Sequence, residues 1–311
     1  SGFGGSVSAL RLAEKGYRVG VLECGRRFED KDFAKSLWNF RRSLWMPKLG
    51  LRGTMRVSLF KDIAVLSGSG VGGGSLVYSN VLYRPPPEFF DAPAWADLEQ
   101  WQDVLAPHYA EAERMLGVET YEIDGPADAL LRAVAGDLGV ADSYTKPPVA
   151  VYMGEPDVIA PDPYFGGDGP PRTGCTRCGD CMIGCRVGAK NTLPKNYLMF
   201  AEKSGVRIMP DRMVTDIRPL GASADGSAGY SVQFEPTGLS PLKRRRELTA
   251  AGVVVATGAL GTNKLLQRCR LNGSLAAISP RLGDLVRTNS ESVLAVTAPD
   301  DRFDFSEAIS I

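Results

Sequence analysis

Histidine is almost missing: the 311-residue chain holds one, His108. No Ser-His-Asp triad or Cys-His pair can be built without it. It lies in "LAPHYAEAERMLGV", which reads as a helix following a proline, where a lone histidine is expected to be structural. Excess charge of either sign is missing too, with 36 basic against 36 acidic residues. No global field therefore favours nucleic acid or an anionic membrane. The one basic run, Lys243, Arg244, Arg245 and Arg246, reads as a solvated hairpin end. No apolar run approaches the ~20 residues of a membrane helix, and no signal peptide opens the chain. Outside residues 175–185 only Cys24 and Cys269 occur, which excludes a disulfide-built secreted scaffold. A cytoplasmic protein is expected, with peripheral membrane contact left open.

The remainder has ordinary globular composition, enough for one large domain or two. It opens on a Gly-rich turn with no strand before it and stops at "SEAISI", inside an apolar, strand-like segment. An internal piece of a longer protein is expected.

Residues 1–25 read "SGFGGSVSALRLAEKGYRVGVLECG". Val7, Leu10, Leu12 and Ala13 give a helix with an apolar face, ending at Lys15-Gly16. Tyr17 to Leu22 is a β-rich run closed by Glu23. Gly2 and Gly5 would be the last two glycines of a G-x-G-x-x-G if a glycine preceded Ser1. Small residues let backbone approach a pyrophosphate, and the helix N-terminus offers it N–H groups and a positive dipole end. Glu23 lies 18 residues after Gly5, near the ~20 expected of a carboxylate that accepts ribose hydroxyls. A glutamate there suits an unphosphorylated ribose, so FAD or NAD is expected over NADP.

A second glycine loop, "SGSGVGGGSLVYSNVLY" at 67–83, runs directly into an apolar β-type segment. With little side-chain bulk and many N–H groups it can lie against a flat ring system or a diphosphate. Farther on, "AGVVVATGALGTNKLL" at 251–266 offers Val253–Ala256 as a buried parallel strand turning into a helix. "GVRIMPDRMVTDIRPL" gives two short strands, and "GYSVQFEP" with "RRELTAAGVVVA" a hairpin feeding that strand. Four of the six cysteines, Cys175, Cys178, Cys181 and Cys185, fall in "CTRCGDCMIGC". This is the spacing of a bacterial ferredoxin cluster, without a second such motif and without a proline after Cys185. Structural zinc, a disulfide and free thiols are the alternatives left open.

Taken together, "GFGGSVSALRLAEKGYRVGVLECG", "GSGVGGGSLVYSNVLYRPP", "WADLEQWQDVLAPHYAEAERMLGV", "CGDCMIGCRVGAKNT" and "VVVATGALGTNKLL" resemble the glucose-methanol-choline (GMC) oxidoreductase family, in its cholesterol oxidase-like branch. The resemblance covers nearly the whole chain. It implies an α/β fold: an FAD-binding, Rossmann-like domain of the GMC and glutathione-reductase type, with a β-meander and part of an α+β substrate domain. Residues 1–118 and 196–284 would form the discontinuous FAD domain, its first strand missing. Residues 119–195 would be an insertion carrying the Cys motif, and 285–311 the start of a truncated substrate domain.

The resemblance also implies FAD as cofactor and hydride transfer from an alcohol. Gly2, Gly4 and Gly5 would approach the pyrophosphate and Glu23 the adenosine ribose. Gly72, Gly73, Gly74 and Ser75 would form the loop near pyrophosphate and flavin. Tyr78, Ser79, Asn80 and Val81 would follow the flavin edge, and the Val214 backbone would hold the adenine. The family's catalytic histidine sits near the far C-terminus, so no catalytic residue is expected here, and this piece is expected to bind FAD without turnover. The expected substrate is a sterol or similar hydrophobic alcohol, with O₂ or an external acceptor taking the electrons. Some dehydrogenases of the family carry an iron–sulfur cluster at a similar Cys-rich segment. Cys175, Cys178, Cys181 and Cys185 are therefore candidate ligands, and a sugar or polyol dehydrogenase is the alternative. A third reading is an iron–sulfur electron-transfer protein that oxidises no alcohol.

Overall fold

The structure, a computed structural model, describes residues 1–223, 225–239 and 244–289, together with Ala298, Phe305, Ala308 and Ile309. Lys243 of the expected basic run, and most of the tail after 289, lie outside the described residues. The chain divides into two units. One comprises Ser1–Val77 and Tyr197–Val296, the other Tyr78–Asn196 and Thr297–Ile311.

The first unit is α/β, as its alternating helix and strand patterns imply. Helix α1 (Phe3–Glu14) stops where Gly16 takes a φ of +85°, a left-handed turn that glycine adopts without steric cost. Strand β1 (Gly20–Leu22) follows. The strand takes only these three residues of the expected Tyr17–Leu22 run, with the Val19 carbonyl accepting the Arg207 N–H at 3.1 Å just before it. Next come β2 (Met55–Leu59) and β3 (Ala64–Gly68), an antiparallel hairpin. After the second unit's segment, α2 (Tyr197–Lys203) packs on α1. It leads into β4 (Arg207–Met209), parallel to β1 with Gly20 opposite Arg207 and Leu22 opposite Met209.

An antiparallel meander then runs β5 (Arg212–Pro219), β6 (Tyr230–Pro236), β7 (Arg246–Ala250) in that spatial order. Helix α3 (Gly258–Leu271) closes the unit. Leu265 and Cys269, one turn apart on one face of α3, pack with Ile217 and Val232 of the meander and with Leu22 of β1. This core fixes the meander against the end of the parallel pair.

Two strand expectations are corrected. Val253–Ala256 forms no ladder among the described residues. Val253 and Val255 reach the core while Val254 is 59% exposed, so one face is buried rather than both. The run after the second glycine loop is not a strand either. Gly72 and Gly73, at φ +109° and +54°, bend it into a 3-10 turn over Gly73–Leu76. That turn drops Leu76 into a cluster with Phe28 and Phe33.

In the second unit the helix Trp101–Leu116 carries His108 and begins ahead of Pro107, which sits in its interior and not at its start. A further helix, Pro126–Asp137, has proline in its first turn, and the Asp128 carboxylate accepts the Gly125 N–H at 2.7 Å. Both are favoured helix-start arrangements. Residues 78–118, expected with the nucleotide domain, group here with 119–196. The ties are visible: Val81 bridges Val149, and the Leu82 N–H donates to the Pro148 carbonyl at 3.0 Å. The unit's core is Tyr121, Val149, Val151, Cys175, Cys181, Ala189 and Ile309.

Candidate cofactor site

In the first unit two glycine turns touch. A Cβ built on Gly73 would stand 2.6 Å from the Cα of Gly2, and one on Gly25 would stand 2.3 Å from the Gly70 nitrogen. Neither position has room for a side chain. Gly5 is tight against the Ala256 methyl, at 3.3 Å for a built Cβ, and this is how α1 lies close to the segment that precedes α3. Gly4 is different: nothing lies within 4 Å of its built Cβ, and Gly74 meets only the Phe3 ring at 3.9 Å. Helix α1 follows its N-cap Gly2 without a side-chain cap and without an acid in its first turn. Its first turn therefore leaves the positive helix end open to an anion.

Glu23 stands where β1 ends. Its N–H donates to the Met209 carbonyl at 3.1 Å, and its carbonyl accepts the Arg212 N–H at 2.8 Å. The side chain is buried. Oε2 accepts the Ser1 hydroxyl at 2.6 Å and Oε1 accepts the Gly25 N–H at 2.8 Å. The Ser1 Oγ in turn accepts the Gly72 N–H at 3.1 Å. One serine thus ties the acid to the second glycine loop. Oε2 also accepts the Ser1 amine at 3.2 Å, and Oε1 the Cys24 thiol at 3.5 Å. Ser75 closes the loop on itself, its hydroxyl donating to the Gly72 carbonyl at 2.7 Å. Val214 lies on β5 opposite Phe234, beside a register shift between Val214 and Asp216 that interrupts the ladder.

Tyr78, Ser79, Asn80 and Val81 belong to the second unit. Asn80 is fully buried at φ +69°, and its carbonyl accepts the Ala150 N–H at 3.0 Å. Behind this segment sits Lys190, 1% exposed. Its ammonium donates to the carbonyls of Tyr78 and Cys181 and lies 4.4 Å from the centre of the Tyr78 ring. Burial pulls the Lys190 pKa down to about 8, partly offset by the Cys181 and Cys185 thiols.

The four motif cysteines line one small cavity with Lys190. Among the described residues, however, no group of three or more His, Cys, Asp or Glu side chains is placed to hold a metal ion. The expected ligand set Cys175, Cys178, Cys181 and Cys185 is not assembled. Cys178 is exposed, Cys185 half-buried, and Cys175 and Cys181 face the apolar core. All six cysteines are free thiols.

Residues 171–284 match the GMC oxidoreductase family. The chain is 48% identical over 299 residues to a cholesterol oxidase of Mycobacterium tuberculosis, covering 94% of this chain and 51% of that protein. It is 45% identical to a cholesterol oxidase of Acinetobacter baumannii, over all of this chain and 57% of the relative. Residues 171–284 carry a GMC oxidoreductase domain. A more distant relative is a long-chain-alcohol oxidase of Arabidopsis thaliana, 25% identical over 88% of this chain and 34% of its own length. The chain thus spans about half the length of the cholesterol oxidases it matches. The family implies FAD, and the first unit's cradle suits it: paired glycine turns without side-chain bulk, an uncapped helix start and a fixed carboxylate at the strand end.

Sequence reasoning did not single out Ser1, Gly25, Gly70 or Lys190. "ECG" carried a signal for Gly25, because a glycine just past a strand-ending acid marks a close backbone approach. Lys190 gave none, since its burial comes from neighbours far away in sequence.

Proposed function

We propose that the whole protein is an FAD-dependent oxidoreductase that oxidises the CH–OH group of a bulky hydrophobic alcohol, a sterol in the first instance, with O₂ as electron acceptor. The observation that carries this reading is the 45–48% identity to cholesterol oxidases over 94–100% of this chain. Bound FAD supplies the hydride acceptor. Gly2, Gly4 and Gly5, with Gly72, Gly73, Gly74 and Ser75, would hold the pyrophosphate through backbone N–H groups, and Glu23 would accept the adenosine ribose hydroxyls. The Val214 backbone would meet the adenine. Tyr78, Ser79, Asn80 and Val81 would follow the flavin edge, with Lys190 holding the Tyr78 carbonyl from behind.

The test is anaerobic addition of cholesterol to the FAD-loaded whole protein, read as loss of flavin absorbance. Bleaching that reverses on admitting air is expected. Bleaching by sugars and not by sterols would overturn the substrate, and no bleaching by any alcohol would overturn the reaction class.

A further inference from the structure

A second binding feature lies within the second unit, on the segment from Pro85 to Pro107. Phe89, Phe90, Trp95, Trp101 and Leu105 line an open depression of about 180 Å³. The rings stand at steep angles to one another. Phe89 and Phe90 are 5.5 Å apart at 86°, and Phe89 and Trp95 are 5.0 Å apart at 47°. Both indole N–H groups are already committed, Trp95 to the Phe89 carbonyl at 3.0 Å and Trp101 to the Trp95 carbonyl at 2.8 Å. What remains for an occupant is aromatic surface with no hydrogen-bonding demand.

Two occupants suit such walls: an uncharged apolar group, or a cation without N–H donors. Charge decides between them. Between Pro85 and Pro107 the chain carries Glu88, Asp91, Asp97, Glu99 and Asp103 and no Lys or Arg. These acids ride on or beside the short elements that bring the rings: Glu88 in the turn Pro87–Phe90, Asp97 in Ala96–Leu98, Asp103 in the first turn of Trp101–Leu116. Among the described residues none of the five forms an ion pair. An uncompensated negative charge on the segment that carries the rings attracts a positive group. A quaternary ammonium gains from the ring quadrupoles without losing hydrogen bonds to water. The geometry points to a site for a quaternary ammonium group, carried by a soluble organic cation or by a lipid headgroup.

The probe is tetramethylammonium chloride, titrated into the FAD-loaded whole protein and followed by saturation transfer to its N-methyl protons. The neutral control of similar shape is tert-butyl methyl ether. Saturable binding of the cation, with the ether at least about threefold weaker, is expected. Equal or tighter binding of the ether, or no saturable binding of the cation, overturns the proposal. Phe89→Leu keeps an apolar side chain at a position already 46% exposed. It should weaken the cation by about threefold to tenfold, and an unchanged affinity places the binding elsewhere and overturns the proposal. Should that variant not fold, the pair Asp97→Asn and Asp103→Asn replaces it. Weaker cation binding with unchanged ether binding supports the site, and no change in either overturns it. Displacement of the cation by phosphatidylcholine vesicles, and not by phosphatidylglycerol vesicles, assigns the group to a lipid. Failure of both to displace it assigns the group to a soluble cation.

Discussion

Gly73 and Gly2 meet backbone to backbone, with 2.6 Å between a Cβ built on Gly73 and the Gly2 Cα. The contact is asymmetric, because a Cβ built on Gly2 would lie 3.9 Å from the Gly73 Cα. Gly73 also sits at φ +54°, where an L side chain costs about 1 kcal/mol before any clash is counted. The clash cannot be relieved by rotating a side chain, since the obstacle is backbone. Gly73→Ala should therefore push the two glycine turns apart and reduce FAD retention at least about tenfold, whereas Gly136→Ala, in the helix Pro126–Asp137 with nothing within 4 Å of its built Cβ, should keep it. The check is the ratio of flavin to protein absorbance after gel filtration of the two variants. Equal retention in both would contradict the cradle.

Each Glu23 carboxylate oxygen accepts from two donors, the Ser1 amine and hydroxyl on Oε2 and the Cys24 thiol and Gly25 N–H on Oε1. Glu23→Gln keeps the shape but removes the charge and turns one of the two acceptor oxygens into a donor. A buried donor then faces another donor, at a cost of about 1–3 kcal/mol. Lower FAD affinity, by about tenfold, and a lower melting temperature are both expected. Glu23→Asp should lose affinity as well, since the shorter acid cannot reach these partners from the end of β1. FAD titration of the apoprotein reads the affinity, and wild-type binding in Glu23→Gln would remove this residue from the site.

The periodic parts of the fold were legible in the chain because their signals are local. Helix α1, strands β4 and β5 and the β6–β7 hairpin follow from patterns of a few residues each. What was not legible depends on partners distant in sequence. Val253–Ala256 carries the composition of a buried strand, yet among the described residues it has no ladder partner and Val254 is exposed. "LVYSNVLY" carries β-propensity, but two glycines at positive φ set the path of the chain before propensity can act. The Cys spacing invited a ligand set, and the fold instead turns Cys178 outward and Cys175 and Cys181 into the core. Spacing fixes which thiols can be neighbours. Burial decides which way they face.

The thiols should accordingly differ in reactivity. Burial, reinforced by the neighbouring Cys181 and Cys185, pushes the Cys175 pKa up to about 11, while Cys178 is exposed. The thiolate is the nucleophile, so at pH 8 iodoacetamide should label Cys178 quickly and Cys175 at least about tenfold more slowly. Unfolding in urea should make the two rates equal. Peptide mass mapping over a time course reads this directly. Rapid labelling of Cys175 in the folded protein would contradict its place in the apolar core.

Lys190 supplies a signature in the pH dependence of stability. In the unfolded chain its pKa returns to the ordinary lysine value near ~10.4, whereas in the fold burial holds it at about 8. Between these two values the unfolded chain binds more protons, so this group makes stability rise with pH across that window. Below about pH 8 the ammonium is charged in both states and the cost of burying it is felt in full. Above ~10.4 it is neutral in both and the cost is gone. Cys175 opposes this trend, because its raised pKa keeps the thiol protonated in the fold while the unfolded thiol ionises, and the raised Tyr78 acts the same way. The Lys190 contribution therefore has to be taken as a difference between the wild type and Lys190→Met. The variant keeps the length of the side chain but leaves the Tyr78 and Cys181 carbonyls without their donor, which costs about 1–3 kcal/mol each. It should be less stable at pH 7, and the gap should widen in favour of the wild type as pH rises from about 8 to 10, where the wild type sheds its buried charge. Urea unfolding at three pH values across that window measures the gap. A gap that stays constant would mean that Lys190 titrates as an exposed lysine does.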